Sequence, residues 1–208
     1  MTQLKYTFVL LILILTGCTQ QFDYGYGDFR LDFATIAGSG TSRYLLLDNQ
    51  TALQPKSVIG SNLTTGSRVL INYSLSDKIA NKSYNINLNS IGQINSSVIK
   101  PLTANYPNDP VLIESIWQSG DWLNFRLSFE YFEKQHSMEL FQQPNSKNDT
   151  IYLELRHSKN GDSAGFWVKT YCSYALKTYA KIGKSVPLKL KVNTAIKGTE
   201  YFFFDYIN

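Results

Sequence analysis

Few side chains in this sequence could do chemistry: two histidines, His136 and His157; two cysteines, Cys18 and Cys172; and scattered carboxylates. A zinc site needs three or four ligands at fitting spacing. No H-x-x-x-H, H-E-x-x-H or C-x-x-C occurs, so no metal and no other cofactor is expected. His136 begins one strand-like segment. His157 ends another, in LRHSKNGD, where Asn160-Gly161 suits the positive φ angles of a tight turn; the expectation is a structural histidine at a strand end. A glycosidase needs two carboxylates held at a fixed separation, whereas Glu130, Glu133, Glu139 and Glu154 fall mainly at outward strand positions and read as solvated. There is no G-x-S-x-G elbow and no phosphate loop; Gly38-Ser39-Gly40 reads as a flexible hairpin turn. Cys172 lies in the alternating stretch 166–174 and reads as a small buried apolar residue. No catalytic residue is assigned, and the chain is expected not to be an enzyme.

Cys18 stands apart because of what precedes it. Lys5 gives a small positive charge, Phe8 to Leu15 is unbroken apolar sequence, and Leu15-Thr16-Gly17-Cys18 follows. This is the order of a secretory signal. The run is far shorter than the roughly 20 residues that cross a bilayer. The Leu-Thr-Gly-Cys ending resembles a bacterial lipobox, which implies a signal peptide at 1–17, cleavage before Cys18 and acylation of that cysteine. One acyl chain anchors only marginally, and two or three make release negligible. Thr19, rather than Asp, follows the cysteine; in Gram-negative lipoproteins that favours the outer membrane, with the periplasmic or surface face left open. Residues 18–28, polar and glycine-containing, read as a lipidated tether.

These residues need a scaffold, and composition indicates β-structure. Aromatics make up 14% of the chain and charged residues only 17%, with many Thr, Ser, Asn and Tyr. A formal net charge of +4, one less without Lys5, is too weak and scattered to argue for nucleic acid, which is not expected as a partner. With Cys18 acylated, Cys172 has no disulfide partner.

Period-two alternation, one face buried and one wet, runs along the chain. In the first region the segments are 29–37, 43–49, 68–75 and 84–94, with Val69, Ile71, Tyr73 and Leu75 on one face. Four or five strands in this length suit a small closed barrel, because closure removes exposed edges; the expected domain is an OB-like barrel over 29–99. Residues 100–110 hold three of the six prolines and read as a stiff linker. From 111 to 208 seven segments follow: 111–117, 122–132, 136–142, 150–157, 165–174, 186–192 and 200–207. They predict a seven-stranded β-sandwich. Leu123, Phe125, Leu127, Phe129 and Tyr131 share a face, Lys189 and Lys191 read as solvent-facing, and 174–184 is a short helix or loop. The fold class is all-β.

In order along the chain, YLLLDNQTALQP (44–55), GSRVLINY (66–73), YNINLNSI (84–91), SIWQSGDWLNFRLSF (115–129), HSMEL (136–140) and LELRHSKNGD (153–162) resemble the NigD-like lipoproteins of Bacteroidota over nearly the whole mature chain. The resemblance implies an OB-like barrel followed by a β-sandwich, matching the two regions read from periodicity. Asn49-Gln50 departs from the acidic-Gly pair expected at that hairpin tip. The family's name comes from a bacteriocin-associated operon; it brings no catalytic residues.

The functional expectation is a non-catalytic, membrane-anchored two-domain module of the cell envelope, binding an envelope protein or a glycan. An immunity-type role against a bacteriocin and a glycan-binding accessory role are the alternatives. Trp122 and Trp167 fall opposite the apolar alternation and are the candidates for stacking on sugar. YFFFDYIN at the C-terminus reads as a core strand or, less simply, a partner interface. Asp149-Thr150-Ile151 and Asp162-Ser163-Ala164 fit an Asp-Ser/Thr-apolar O-glycosylation pattern, giving Thr150 and Ser163 as candidate acceptors.

Overall fold

The computed structural model describes residues 28–103, 105–144 and 149–207. Cys18, the expected signal and most of the tether lie outside them. Among the described residues no helix is long and apolar enough to cross a membrane.

The chain first forms a barrel of five strands: β1 (Phe29–Ala37), β2 (Tyr44–Leu47), β3 (Ala52–Pro55), β4 (Arg68–Ala80) and β5 (Ser83–Gln93). They are ordered β1-β2-β3-β5-β4 and close where β1 pairs antiparallel with β4, from Phe29↔Ser74 to Thr35↔Arg68. Alternation places Ala34, Ile36, Val69, Ile71 and Tyr73 inside, with Leu45, Leu53 and Ile86. Shifts of register along β4 and β5 let these two long strands bend around so few neighbours. At the β2–β3 tip Gln50 takes the left-handed conformation, φ 66°, where glycine costs least. The Asn49 side chain compensates by accepting the Thr51 N–H at 3.0 Å.

The second domain is a sandwich. One sheet runs β14-β13-β11-β10-β7, the other β6-β12-β9-β8. The seven strands expected beyond residue 111 are present: β8 (Leu112–Ser119), β9 (Trp122–Tyr131), β10 (Ser137–Gln142), β11 (Ile151–Ser158), β12 (Phe166–Ala175), β13 (Val186–Thr194) and β14 (Gly198–Tyr206). Two short strands from before 111 join them. β6 (Asn95–Val98) pairs parallel with β12, and β7 (Lys100–Pro101) pairs parallel with β10. The sandwich therefore begins at residue 95, not 111, and the barrel ends near residue 94 rather than 99. Nor is 100–110 a free linker. Arg156 donates to the Tyr106 carbonyl at 2.9 Å and Asn193 to the Asn108 carbonyl at 2.7 Å. Asp109 accepts the Lys159 N–H at 2.9 Å. These bonds lay the proline-rich segment along the five-stranded sheet.

Leu123, Phe125, Leu127, Leu140, Leu153, Leu155, Cys172, Tyr174, Leu188 and Leu190 fill the space between the sheets. Two outward faces differ from expectation. Glu154 is buried, not solvated. Burial alone would raise its pKa, but Gln143, Arg156 and Lys191 surround it and hold it low. On β14 only Phe202, Phe204 and Tyr206 turn inward. Tyr201 and Phe203 lie outside on this edge strand, Phe203 being 70% exposed, and flank the Lys189 ammonium at 4.5 and 5.7 Å.

Candidate functional site

The outward face of β9 and β12 is where the two domains meet. Arg68, at the start of β4, is completely buried, because the sandwich covers the end of the barrel. Its Nη1 and Nη2 donate to Asp48 Oδ1 at 2.5 Å and Oδ2 at 2.7 Å, a bidentate pair. Nη2 also reaches across the domain boundary to Asn124 Oδ1 at 3.3 Å, which Ser173 Oγ holds from its other side at 2.7 Å. The guanidinium lies 4.8 Å from the Trp122 ring and 5.6 Å from Phe33. Gly120, in the β8–β9 turn, permits the approach: a Cβ there would stand 2.9 Å from the Asp48 carbonyl oxygen, and its φ is +52°. Arg68, held within the barrel by Asp48, thus joins the sandwich through Asn124 and Trp122, and the close approach of Gly120 to Asp48 completes the joint.

Beside this joint opens a cleft of about 350 Å³. Leu31, Phe33, Leu47 and Leu70 line it from the barrel, and Trp117, Tyr171, Ser115 and Arg126 from the sandwich. Phe33 packs 5.2 Å from Trp117 and edge-on to Tyr171 at 5.7 Å, making an aromatic floor. The polar groups carry both charges. Asp32 accepts from Tyr73 OH at 2.9 Å; burial and then this carboxylate keep the tyrosine protonated. Arg126 Nε stands 2.7 Å from Glu114 Oε2 in an ion pair with poor N–H alignment. Glu114 also accepts from Ser128 at 2.6 Å and pairs with Lys169 at 3.1 Å, and Ser128 first, then the cations, hold its pKa low.

The structure separates the two expected sugar-stacking residues. They share the outward face of the four-stranded sheet, but Trp122 is paired opposite Ala175 and Trp167 opposite Glu130, eight positions apart. Trp122 is half-buried under Arg68, beside a second depression of about 360 Å³ that includes Thr35, Gln50, Asp121 and Lys177. Trp167 is 54% exposed at the far end. They make no common platform, and Trp117 takes the central place instead. Of the glycosylation candidates, Ser163 is exposed but its neighbour Asp162 is turned inward, whereas Thr150 is half-buried just before β11.

The histidines converge, which their spacing conceals. His136 Nδ1 lies 2.9 Å from His157 Nε2, and His136 Nε2 lies 3.1 Å from Asp162 Oδ2. His157 is thus a structural histidine near the end of β11, buried and a member of this chain. Burial would raise the Asp162 pKa, but the N–H groups of Phe132 and Glu133, then His136, outweigh that and hold it well below the usual carboxylate range. With Asp162 ionised, its Oδ2 accepts from His136 Nε2–H, and one proton lies between His136 Nδ1 and His157 Nε2. Burial, then His136, lower the His157 pKa. Phe129 stacks on His136 at 4.6 Å. The chain ends at His157 Nδ1, buried and without a partner among the described residues, and contains no nucleophile. Cys172, which with His136 and Met138 lines a nearby cavity, contacts Met138 Sδ at 3.8 Å, and burial pushes its thiol up to about 12. Among the described residues no three or more His, Cys, Asp or Glu are placed to hold a metal ion.

A barrel fixed to a sandwich around a mixed aromatic and polar cleft is a two-domain architecture with a preformed interdomain cavity. The NigD-like N-terminal OB domain matches residues 33–94 and the NigD-like C-terminal beta sandwich domain matches residues 95–206; the chain belongs to the NigD-like family. It is similar to a solved protein of unknown function from Bacteroides vulgatus, with 27% identity and a TM-score of 0.75 over 86% of this chain and 90% of that one. It is also similar to a NigD-like immunity protein from Bacteroides caccae, with 26% identity and a TM-score of 0.69 over 87% and 98%. A candidate lipoprotein from Bacteroides fragilis shares the fold at 11% identity, with a TM-score of 0.61 over 86% and 97%. No curated protein matches the chain.

Proposed function

We propose that this chain is a non-catalytic lipoprotein of the cell envelope, anchored in the outer membrane through Cys18, whose two domains bind an envelope ligand in the cleft between them. The observation that carries this reading is the buried Arg68 beside the cleft, which reaches across the domain boundary to Asn124 Oδ1 and packs on the Trp122 ring, so that the domains are joined before any ligand arrives. Preformed cavities at domain boundaries are a common form of ligand site. The histidines are engaged with each other and with Asp162, and the one described thiol is buried and protonated, which favours binding over turnover. Metabolic labelling with an alkyne palmitate analogue tests the anchor: label on the full chain, lost in Cys18→Ala, is expected, and an unlabelled full chain in the soluble fraction counts against it. Affinity purification of the detergent-solubilised full chain tests the ligand. An envelope component retained by the parent and lost from Ser115→Arg is expected; retention by both overturns the cleft as the site.

A second reading is shielding of the producing cell from a bacteriocin, favoured by the immunity description of the Bacteroides caccae relative. A deletion strain with unchanged bacteriocin sensitivity would count against it.

A further inference from the structure

We infer that the interdomain cleft takes the end of a neutral oligosaccharide, whose chain continues along the outward face of β12 to Trp167. This rests on the binding-module reading above and names its ligand class.

Charge gives the first indication of the ligand. Asp48 is already paired with Arg68, Asp32 already accepts from Tyr73, and Arg126 is already paired with Glu114. Counted with their partners, the carboxylates Asp32, Asp48 and Glu114 are balanced by Arg68, Arg126 and Lys169, so the lining is matched to a ligand without net charge. The second is hydrogen-bonding capacity. A carboxylate has about four acceptor sites and a guanidinium five donors, so these groups retain room for further bonds. Ser115, Ser119 and Asn49 add groups that both donate and accept. Adjacent hydroxyls, each donor and acceptor at once, satisfy such a lining, whereas an aliphatic or purely accepting ligand strands half of it.

The third is the apolar floor. Trp117 and Tyr171 remain partly exposed beside Phe33, and Leu31 on the facing wall is 59% exposed. The C–H face of a sugar ring packs against such surfaces while its hydroxyl edge meets the polar rim. The fourth is direction. Tyr171, Lys169 and Trp167 lie on one face of β12 at alternate positions. Trp167 stands about 13 Å from Tyr171 at the strand rise. A second exposed aromatic along one line from the cleft suits a chain rather than a single small molecule.

The test is a printed array of neutral and uronic-acid or sialic-acid glycans probed with the detergent-solubilised full chain, followed by calorimetric titration of any neutral oligosaccharide bound. Ser115→Arg, which fills the cleft without removing an interface contact, is expected to weaken binding by at least about tenfold, as is Trp117→Ala. Trp167→Ala is expected to weaken longer oligosaccharides several-fold and leave the disaccharide unchanged. Circular dichroism and the unfolding midpoint check that each variant is folded; Ser115→Arg serves where Trp117→Ala is not. Binding of acidic glycans alone overturns the neutral class, and neutral binding unchanged in Ser115→Arg overturns the location. A folded chain silent on the array but retaining an envelope protein that Ser115→Arg loses overturns the sugar and leaves the binding module standing. Silence in both overturns both.

Discussion

Removing Asp48 should loosen the whole molecule, because it strands a charge that has no other full partner. Arg68 has no solvent-exposed side-chain surface and the Asp48 side chain only 10%. In Asp48→Ala the guanidinium keeps the Thr35 hydroxyl and Asn124 Oδ1, both at 3.3 Å, and the rings of Trp122 and Phe33, but no countercharge. Breaking one side of a buried pair costs about 3–5 kcal/mol. For a chain of this size that corresponds to a midpoint lower by roughly 6–20 °C. Replacing both partners by apolar residues, Asp48→Leu with Arg68→Met, should recover most of the loss, since desolvation of the intact pair is itself costly. Guanidinium unfolding followed by tryptophan fluorescence is a suitable assay, because Trp117 and Trp122 sit at the joint. A loss under about 1 kcal/mol in Asp48→Ala, the range of an exposed pair, would refute the reasoning. So would a double variant no more stable than the single one.

Acid should weaken the fold in two windows. His157 and Asp162 both have folded pKa values below their unfolded ones, so each contributes stability at higher pH that is lost as pH falls. The His157 contribution should decline below about 6.5 and the Asp162 contribution below about 3.9; denaturant titrations across pH should show His157→Gln flattening only the upper window and Asp162→Asn only the lower. Gly120→Val should detach the barrel, since the side chain collides with the Asp48 backbone at a left-handed φ; two unfolding transitions in calorimetry where the parent shows one is the expected sign. Cys172 should ignore a thiol reagent in the native protein and react fully once denatured, given its burial and a pKa pushed up to about 12; prompt native labelling would contradict its placement.

What the sequence disclosed was what periodicity can carry. The face Val186, Leu188, Leu190, Val192 of β13 and the face Leu123, Phe125, Leu127 of β9 are inside as read, because one buried face writes itself as alternation. β6 and β7 were illegible. They are four and two residues long, largely polar, and held by parallel pairing to strands about 75 and 40 positions onward, respectively, a relation with no local signature. Glu154 misled for a different reason: it does point outward, but Gln143, Arg156 and Lys191 close over it, and alternation reports direction, not cover. The site was harder still. Arg68, Asp48 and Asn124 come from two domains, and His136, His157 and Asp162 meet where separate strand ends converge. The one available hint was that Asn124 and Arg126 lie on the same strand face as Trp122, on a sheet whose other side was already supplied with apolar residues. Such a mixed face marks a covered surface, and the cover here is the barrel.

The most direct test of the binding cleft is a photo-reactive phenylalanine analogue placed at Leu31, an exposed large side chain on the cleft wall, in the full chain, irradiated in living cells. An identical substitution at Ile196, exposed in the β13–β14 turn of the other sheet, serves as the control. A discrete higher-mass product from position 31 and none from 196 is the predicted result. Products from 196 alone, or the same products from both, would contradict it.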